Sequence, residues 1–499
     1  MPLLYEINTR CWLRDLSSRC ESEVTLGNVP EFEFQFWASA GFTHIWLMGV
    51  WPSGPKSRRS AQLHIANAIR AGELPPVDPD DVVGSPYAVS AYSVSPDFGA
   101  AGELSAFRHR LNSHGIRLIL DFVPNHLGID HPWIEQRPQL FVGTSSERPG
   151  FFRPGTPQGS RWIAHGKDPF FPAWCDTAQL DYRSDETRQT MISLLHTIAA
   201  QCDGVRCDMA MLLLNDVFNE TWVAFQIGQE NSAMHSEFWS EAIAAIKEEN
   251  ARFEFIAEAY WGREEQLQQL GFDFTYNKDL YDALVGGNSA AAVKLVAETP
   301  PQMLERGVHF LENHDERRIA GTLPLAMHKL AALLTFSLPG MRLVHEGQLS
   351  GARIRVPVQL GRRPEEAPDP VIGGFYDALL AAIRSAGVGI GIFSILRPST
   401  NRLDERSSDC AMALLWQRPG RLALTVLNLG DEPTRLRVDL PEDGLAAEDL
   451  LRLEPKIAFE LAGKQLVFDL PAKSGTLLGL WRSCISVVRN SSLFHTAPH

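Results

Sequence analysis

Leu118-Ile119-Leu120-Asp121-Phe122-Val123-Pro124-Asn125-His126 is an apolar run of strand length that ends in a carboxylate, an amide and an imidazole. Three later segments repeat the pattern: Gly204-Val205-Arg206-Cys207-Asp208, Phe255-Ile256-Ala257-Glu258 and Phe310-Leu311-Glu312-Asn313-His314-Asp315. A strand that is apolar nearly throughout is buried on both faces, as in a parallel sheet covered by helices. Polar groups where such a strand stops lie on its C-terminal rim, the rim on which the active sites of parallel α/β barrels collect. Four such ends in order predict one polar rim shared by four strands.

Outward from these segments, strands are expected at 41–48, 116–123, around Val205, at 253–257, 307–311 and 341–347. Helical spacing fills the intervals at 32–40, 103–114, 184–201, 236–249 and 325–336. Gly115 stands where a helix stop belongs, and Pro324 where a helix start tolerates a missing N–H. Alternating strands and helices imply a parallel sheet, and a strand count close to eight favours a closed one.

Two stretches interrupt the alternation. Residues 127–183 are rich in Pro, Gly and aromatics, which argues for an ordered lobe inserted after strand 3. The lobe is expected to flank the substrate, and its aromatics around 151–174 are read as its own small core or, less often, as sugar platforms. Residues 52–83 carry five prolines and are expected to form a second, mobile rim loop. Beyond residue 391 apolar and polar residues alternate at strand length, the pattern of an antiparallel sandwich. The expected fold is therefore α/β: a (β/α)8 TIM barrel from 1–126 and 184–390, a lobe at 127–183, a β-sandwich at 391–482, and a flexible tail at 483–499.

With 46 basic and 60 acidic side chains the net charge is −14, which argues against nucleic acid or an anionic membrane as main partner. The first residues show no basic start followed by an apolar stretch, and no apolar run nears the roughly 20 residues that span a bilayer. Seven scattered cysteines, with no zinc-ligand spacing, suit a reduced setting, and a cytoplasmic location is expected. Cys207 is read as core filler rather than nucleophile.

Two or three rim carboxylates beside His, Asn and Arg suit cleavage of a glycosidic bond. A retaining enzyme needs an ionised nucleophile and a protonated acid about 5 Å apart, held in different environments. Arg206 and Asp208 share a strand face, so the guanidinium is expected to lower the Asp208 pKa and favour it as nucleophile. Glu258 stands among Phe255, Ile256, Tyr260 and Trp261, surroundings that raise a carboxyl pKa and suit an acid/base. Asp315 is expected to hold ring hydroxyls, with His126 and His314 as further donors and Asn313 in support. Asp121, deeper along its strand, is assigned to orienting Arg206. The bland alternatives are helix caps, turn formers and a structural ion pair.

As a set, these segments resemble the alpha-amylase family of glycoside hydrolases. Gly84-Ser85-Pro86-Tyr87-Ala88-Val89-Ser90-Ala91-Tyr92 and Gln179-Leu180-Asp181-Tyr182 match two further family signatures. The resemblance implies Asp208 as nucleophile, Glu258 as acid/base and Asp315 as transition-state stabiliser. It places Tyr87, stacked on the sugar, with His126, Arg206 and His314 in the cleavage subsite. Asn125 matches a position that binds calcium in many relatives, so a structural calcium is conceivable although no cofactor is required. Ala88 and Ala91 stand where many relatives have acids. Arg353, Arg355, Arg362 and Arg363 form an unusually basic loop, read either as solvated or as a site for an anionic substrate.

The implied activity is retaining hydrolysis of α-glucosidic bonds in maltooligosaccharides or related α-glucans. The same covalent intermediate would serve a maltosyltransferase or a trehalose synthase-like isomerase. A non-catalytic carbohydrate-binding scaffold is the third class, and the presence of all three carboxylates weighs against it.

Overall fold

The computed structural model describes residues 1–155, 161–223, 236–396, 399–400 and 409–482. The chain divides into two compact units, Met1–Leu380 and Ala381–His499. The expected flexible tail at 483–499, with Cys484, lies outside the described residues.

The first unit is built on eight parallel strands: β1 (Leu3–Asn8), β2 (His44–Met48), β3 (Arg117–Phe122), β4 (Gly204–Cys207), β5 (Glu254–Ala257), β6 (Phe274–Tyr276), β7 (Gly307–His309) and β8 (Met341–His345). They close in sequence order, β8 pairing with β1 through Leu3–Arg342 to Glu6–His345. Strand alternation sends Leu4, Trp46, Ile119, Ile256, Val308, Met341 and Leu343 into one interior cluster. The intervening Leu118, Leu120 and Phe255 are equally buried beneath the outer helices. Burial on both faces explains the continuous apolar runs of the sequence.

Two strands escaped the sequence reading. β1 carries the polar Glu6 and Asn8 in a six-residue segment, and β6 is only three residues long, so neither has a legible apolar run. The loop expected at 52–83 is also corrected, because Pro55–Arg70 is a sixteen-residue helix. Pro55 occupies its first turn, where proline is tolerated, and Ala61 and Ile65 bury its inner face. The proline density had masked the helical spacing.

The lobe leaves the barrel after β3. His126–Gly128 pairs with Thr177–Gln179, and Gly143–Thr144, Trp162–Ala164 and Phe151–Phe152 form a small three-stranded sheet.

The second unit contains two antiparallel sheets. One has five strands in the order Ile392–Leu396, Ala411–Arg418, Arg421–Asn428, Ser474–Arg482 and Leu445–Asp449. The other runs Ser399–Thr400, Thr434–Asp439, Gln465–Leu470 and Ala458–Ala462. Leu424, Val426, Leu478, Leu436, Val438 and Phe468 meet in a shared core, as a sandwich requires. Among the described residues, no helix is long and apolar enough to cross a membrane.

Candidate active site

The barrel's two-residue period fixes which side chains meet. Arg206 is in register with Asp121 on β3 and Ile256 on β5, so all three face the interior. Asp208 and Glu258 lie two residues further along their strands and therefore face inward just above that layer. Glu6 and Trp46, a register pair on β1 and β2, complete it.

Arg206 is wholly buried at the centre. One terminal nitrogen donates to Asp208 Oδ1 at 2.8 Å, and the other makes an ion pair with Glu258 Oε1 at 2.7 Å. The rings of Trp46, Tyr87 and Tyr276 lie 5.1, 5.3 and 5.8 Å from the guanidinium carbon, and cation–π attraction offsets part of its lost hydration. Tyr276, on the unread strand β6, also accepts from Arg206 Nε at 3.3 Å.

Sharing the guanidinium changes the electrostatics expected from sequence. Arg206 is not the private partner of Asp208. Burial raises both carboxyl pKa values and Arg206 opposes it in each, leaving Asp208 at about 6 and Glu258 at about 7. The expected lowering at Asp208 is thus overturned by desolvation, while the expected rise at Glu258 is present. Glu258 also accepts from the Met209 N–H at 2.7 Å and from the Tyr260 hydroxyl at 2.8 Å.

Asp315 lies at the exposed mouth, 3.0 Å from His314 Nε2. Desolvation pushes its carboxyl up, but the adjacent His314 more than reverses that and holds it ionised. His314 is itself gripped from below, its Nδ1 bonded to the buried Glu6. Burial disfavours the imidazolium, yet Asp315 and Glu6 together raise its pKa well above the usual value. Tyr87 stacks on His314 at 5.3 Å and bonds its Nε2 through the hydroxyl at 2.8 Å. Asn313 accepts from the backbone N–H groups of Asp315 and Glu316 at 2.9 and 3.0 Å, fixing the turn that carries Asp315.

His126 is buried beside the Trp174 ring, and burial lowers its pKa to about 4, leaving the neutral imidazole. Asp121 accepts from the Trp46 indole at 3.1 Å and the Gly49 N–H at 2.9 Å, and lies 3.8 Å from Arg206. Its closest bonds thus pin the end of β2, with Arg206 a more distant contact. Glu6 is the functional side chain that sequence reasoning missed, because its segment was read only as a chain start. A lone charge in a β1 segment facing the interior was the available signal.

Asn125 does not stand among carboxylates. Its amide is matched to Gln179, which donates to Asn125 Oδ1 at 3.0 Å and accepts from its Nδ2 at 3.2 Å. Calcium takes six to eight oxygen ligands, and among the described residues no group of three or more His, Cys, Asp or Glu is placed to hold a metal. These residues do not fit a calcium site. In the basic loop, Arg353 pairs with Asp369, Arg362 with Asp81, and Arg363 with Asp15 and Glu346. Arg355 is exposed, makes no ion pair among the described residues, and helps to hold Asp315 ionised.

Residues 34–355 match the family model described as the alpha amylase catalytic domain. The chain belongs to the alpha-amylase family. It is 24% identical over 363 residues to alpha-amylase MalA of Haloarcula japonica, covering 71% of this chain and 49% of that protein. It is 20% identical over 297 residues to alpha-amylase 3 of Dictyoglomus thermophilum, covering 55% of each. The chain thus spans about half the length of these curated relatives. Among solved structures, a maltogenic alpha-amylase from Thermotoga neapolitana superposes with a TM-score of 0.68 at 18% identity, over 97% of this chain and 99% of that one. At that identity the likeness shows the fold: the family's barrel followed by a C-terminal β-sandwich.

Proposed function

We propose that this chain is a retaining glycosidase that hydrolyses α-glucosidic bonds of maltooligosaccharides or related α-glucans. The observation that carries the reading is one buried guanidinium bridging Asp208 and Glu258. A shared cation keeps the two carboxyls close together, in keeping with the nucleophile–acid pair of a retaining enzyme. Asp208, bonded directly to Arg206 and lower in pKa, attacks the anomeric carbon. Glu258, higher in pKa, gives its proton to the departing oxygen and then accepts one from the water that releases the glycosyl–Asp208 ester. Asp315, held ionised by His314, binds ring hydroxyls at the mouth, and Tyr87 offers its ring to the sugar in the cleavage subsite. The neutral imidazole of His126 provides a further hydroxyl partner. A reducing compartment suits the six unpaired cysteines among the described residues.

Asp208→Asn keeps the shape of the side chain and removes the attacking charge. Turnover of maltopentaose is expected to fall at least roughly 10⁴-fold, as for loss of a covalent catalyst, with the circular dichroism spectrum unchanged. Undiminished turnover would sink the assignment. The configuration of the first product, followed by proton NMR, tests the mechanism: an initial α-anomer supports retention and an initial β-anomer refutes it.

A further inference from the structure

A cavity of about 550 Å³ opens beside the helix Thr9–Arg19, and none of Asp208, Glu258 and Asp315 lines it. Its volume is that of a small-molecule site. The walls carry three guanidinium groups, those of Arg10, Arg14 and Arg58, against the carboxylates of Glu23 and Asp97. In a chain whose net charge is −14, that concentration of arginine runs against the composition.

Arg14 is already matched, since it bonds Asp81 Oδ1 at 2.7 Å. Among the described residues, neither Arg10 nor Arg58 makes an ion pair with a carboxylate. Each is clamped to a backbone carbonyl instead: Arg10 Nη1 donates to Gly84 O at 2.7 Å, and Arg58 Nε to Val82 O at 2.9 Å. A neutral carbonyl fixes a guanidinium in place without cancelling its charge, and uses one of its five donors. The two anchors stand two residues apart, so two like charges are held side by side, an arrangement that repels unless an anion joins it. The anchoring segment is itself fixed, because Val82 bridges Leu360 and the Val83 N–H donates to Gln359 O at 2.9 Å. Gly84 holds a φ of 101°, and a Cβ there would meet Ser53 Oγ at 2.7 Å, so the turn that aims its carbonyl at Arg10 requires glycine. Burial pushes the Arg10 pKa down to about 10, and neighbouring Cys11 and Asp97 oppose that only in part. Asp97 takes its hydrogen bond from Ser95 Oγ, at 3.4 Å. A half-buried cation that has lost water and gained no counter-ion favours an anion as ligand.

From this arrangement we infer that the cavity binds a phosphorylated sugar, its phosphoryl group gripped between Arg10 and Arg58. The guanidinium fork meets phosphoryl oxygens two at a time. A bare phosphate ion would leave most of the cavity unfilled, and Glu23, Asp97 and Ser95 on its walls are acceptors for sugar hydroxyls. The same two carboxylates disfavour a ligand with a second negative end. The site is separate from the cleavage residues and stands whether or not the chain is a glycosidase.

Isothermal titration calorimetry on the full chain, with glucose 6-phosphate, glucose 1-phosphate, glucose and inorganic phosphate in turn, decides it. At least one sugar phosphate is expected to bind with a Kd below about 1 mM, and glucose and inorganic phosphate at least about ten-fold more weakly. Arg10→Gln and Arg58→Gln should each raise the sugar phosphate Kd about ten-fold or more, the scale of one charge-assisted hydrogen bond. Arg58 is exposed, so Arg58→Gln keeps the experiment decisive where Arg10→Gln fails to fold. Inorganic phosphate bound as tightly as either sugar phosphate would overturn the sugar as ligand. Sugar phosphate affinity that survives in Arg58→Gln would place the binding elsewhere and overturn the site, as would the absence of binding by both sugar phosphates.

Discussion

The two sides of the cleft are made of opposite materials. Around Arg206 the ionisable groups are buried, with Asp208, Glu258, His314 and Glu6 all nearly inaccessible. Around Trp261 and Phe170 the surface is apolar and exposed. Charges work hardest where water is absent, because weak screening strengthens each ion pair and makes each lost partner expensive. Stacking needs only a fixed face that a sugar can reach. The first is suited to bond chemistry, so damage to the two should differ in size and kind.

After Asp208→Asn, the largest effect is expected at Arg206. Arg206→Met fills similar volume and leaves two buried carboxyls without their shared cation. Turnover should fall about 10³-fold, the scale of losing a preorganised electrostatic partner. Both carboxyl pKa values, already raised by burial, should climb further. A carboxyl whose folded pKa exceeds its unfolded value of ~4 destabilises the fold as pH rises above that value. The Tm deficit of Arg206→Met should therefore widen between pH 5 and pH 8, and a constant deficit would refute the shared-cation account. The unmodified protein sharpens the same point. With Asp208 needed ionised and Glu258 needed protonated, kcat/KM on maltopentaose should peak between about 6 and about 7. Two pH units beyond either limb it should be down about 10²-fold. A profile flat to pH 9 would show that Glu258 is not the acid.

The two sides also differed in how far the sequence disclosed them. The positions of Asp208, Glu258 and Asp315 on one rim were legible because strand periodicity converts position into direction. The sharing of Arg206 was not legible, since which carboxylates one guanidinium reaches depends on packing between strands 50 residues apart in sequence. Helix 55–70 was hidden by prolines that in fact begin and flank it. The exposed pair Phe170–Phe171 was left open between core and sugar platform for a related reason. Aromatic residues are counted toward a core by default, and only the Asp168 turn shows that these two are held outward.

Glu6 offers the finest test, because it belongs to the charged side yet reaches the mouth only through His314. Its carboxylate bonds His314 Nδ1 and, at 3.3 Å, the His314 N–H, so it sets both the charge and the orientation of the ring. His314 in turn holds Asp315 ionised and steadies Tyr87. Glu6→Gln keeps a hydrogen-bonding side chain of the same length and removes the charge. The His314 pKa, raised by Asp315 and Glu6 against the effect of burial, should drop. A raised histidine contributes stability that is present below its unfolded pKa of ~6.5 and lost only as pH rises through the folded value. The variant should therefore lose that contribution at a lower pH than the wild-type protein. Nitrogen-15 shifts of the ring, followed through a pH titration, should report a lower His314 pKa in Glu6→Gln than in the wild-type chain. Turnover should fall about ten-fold, the scale of one charge-assisted hydrogen bond. A His314 titration left unchanged in Glu6→Gln would break the link from β1 to the mouth.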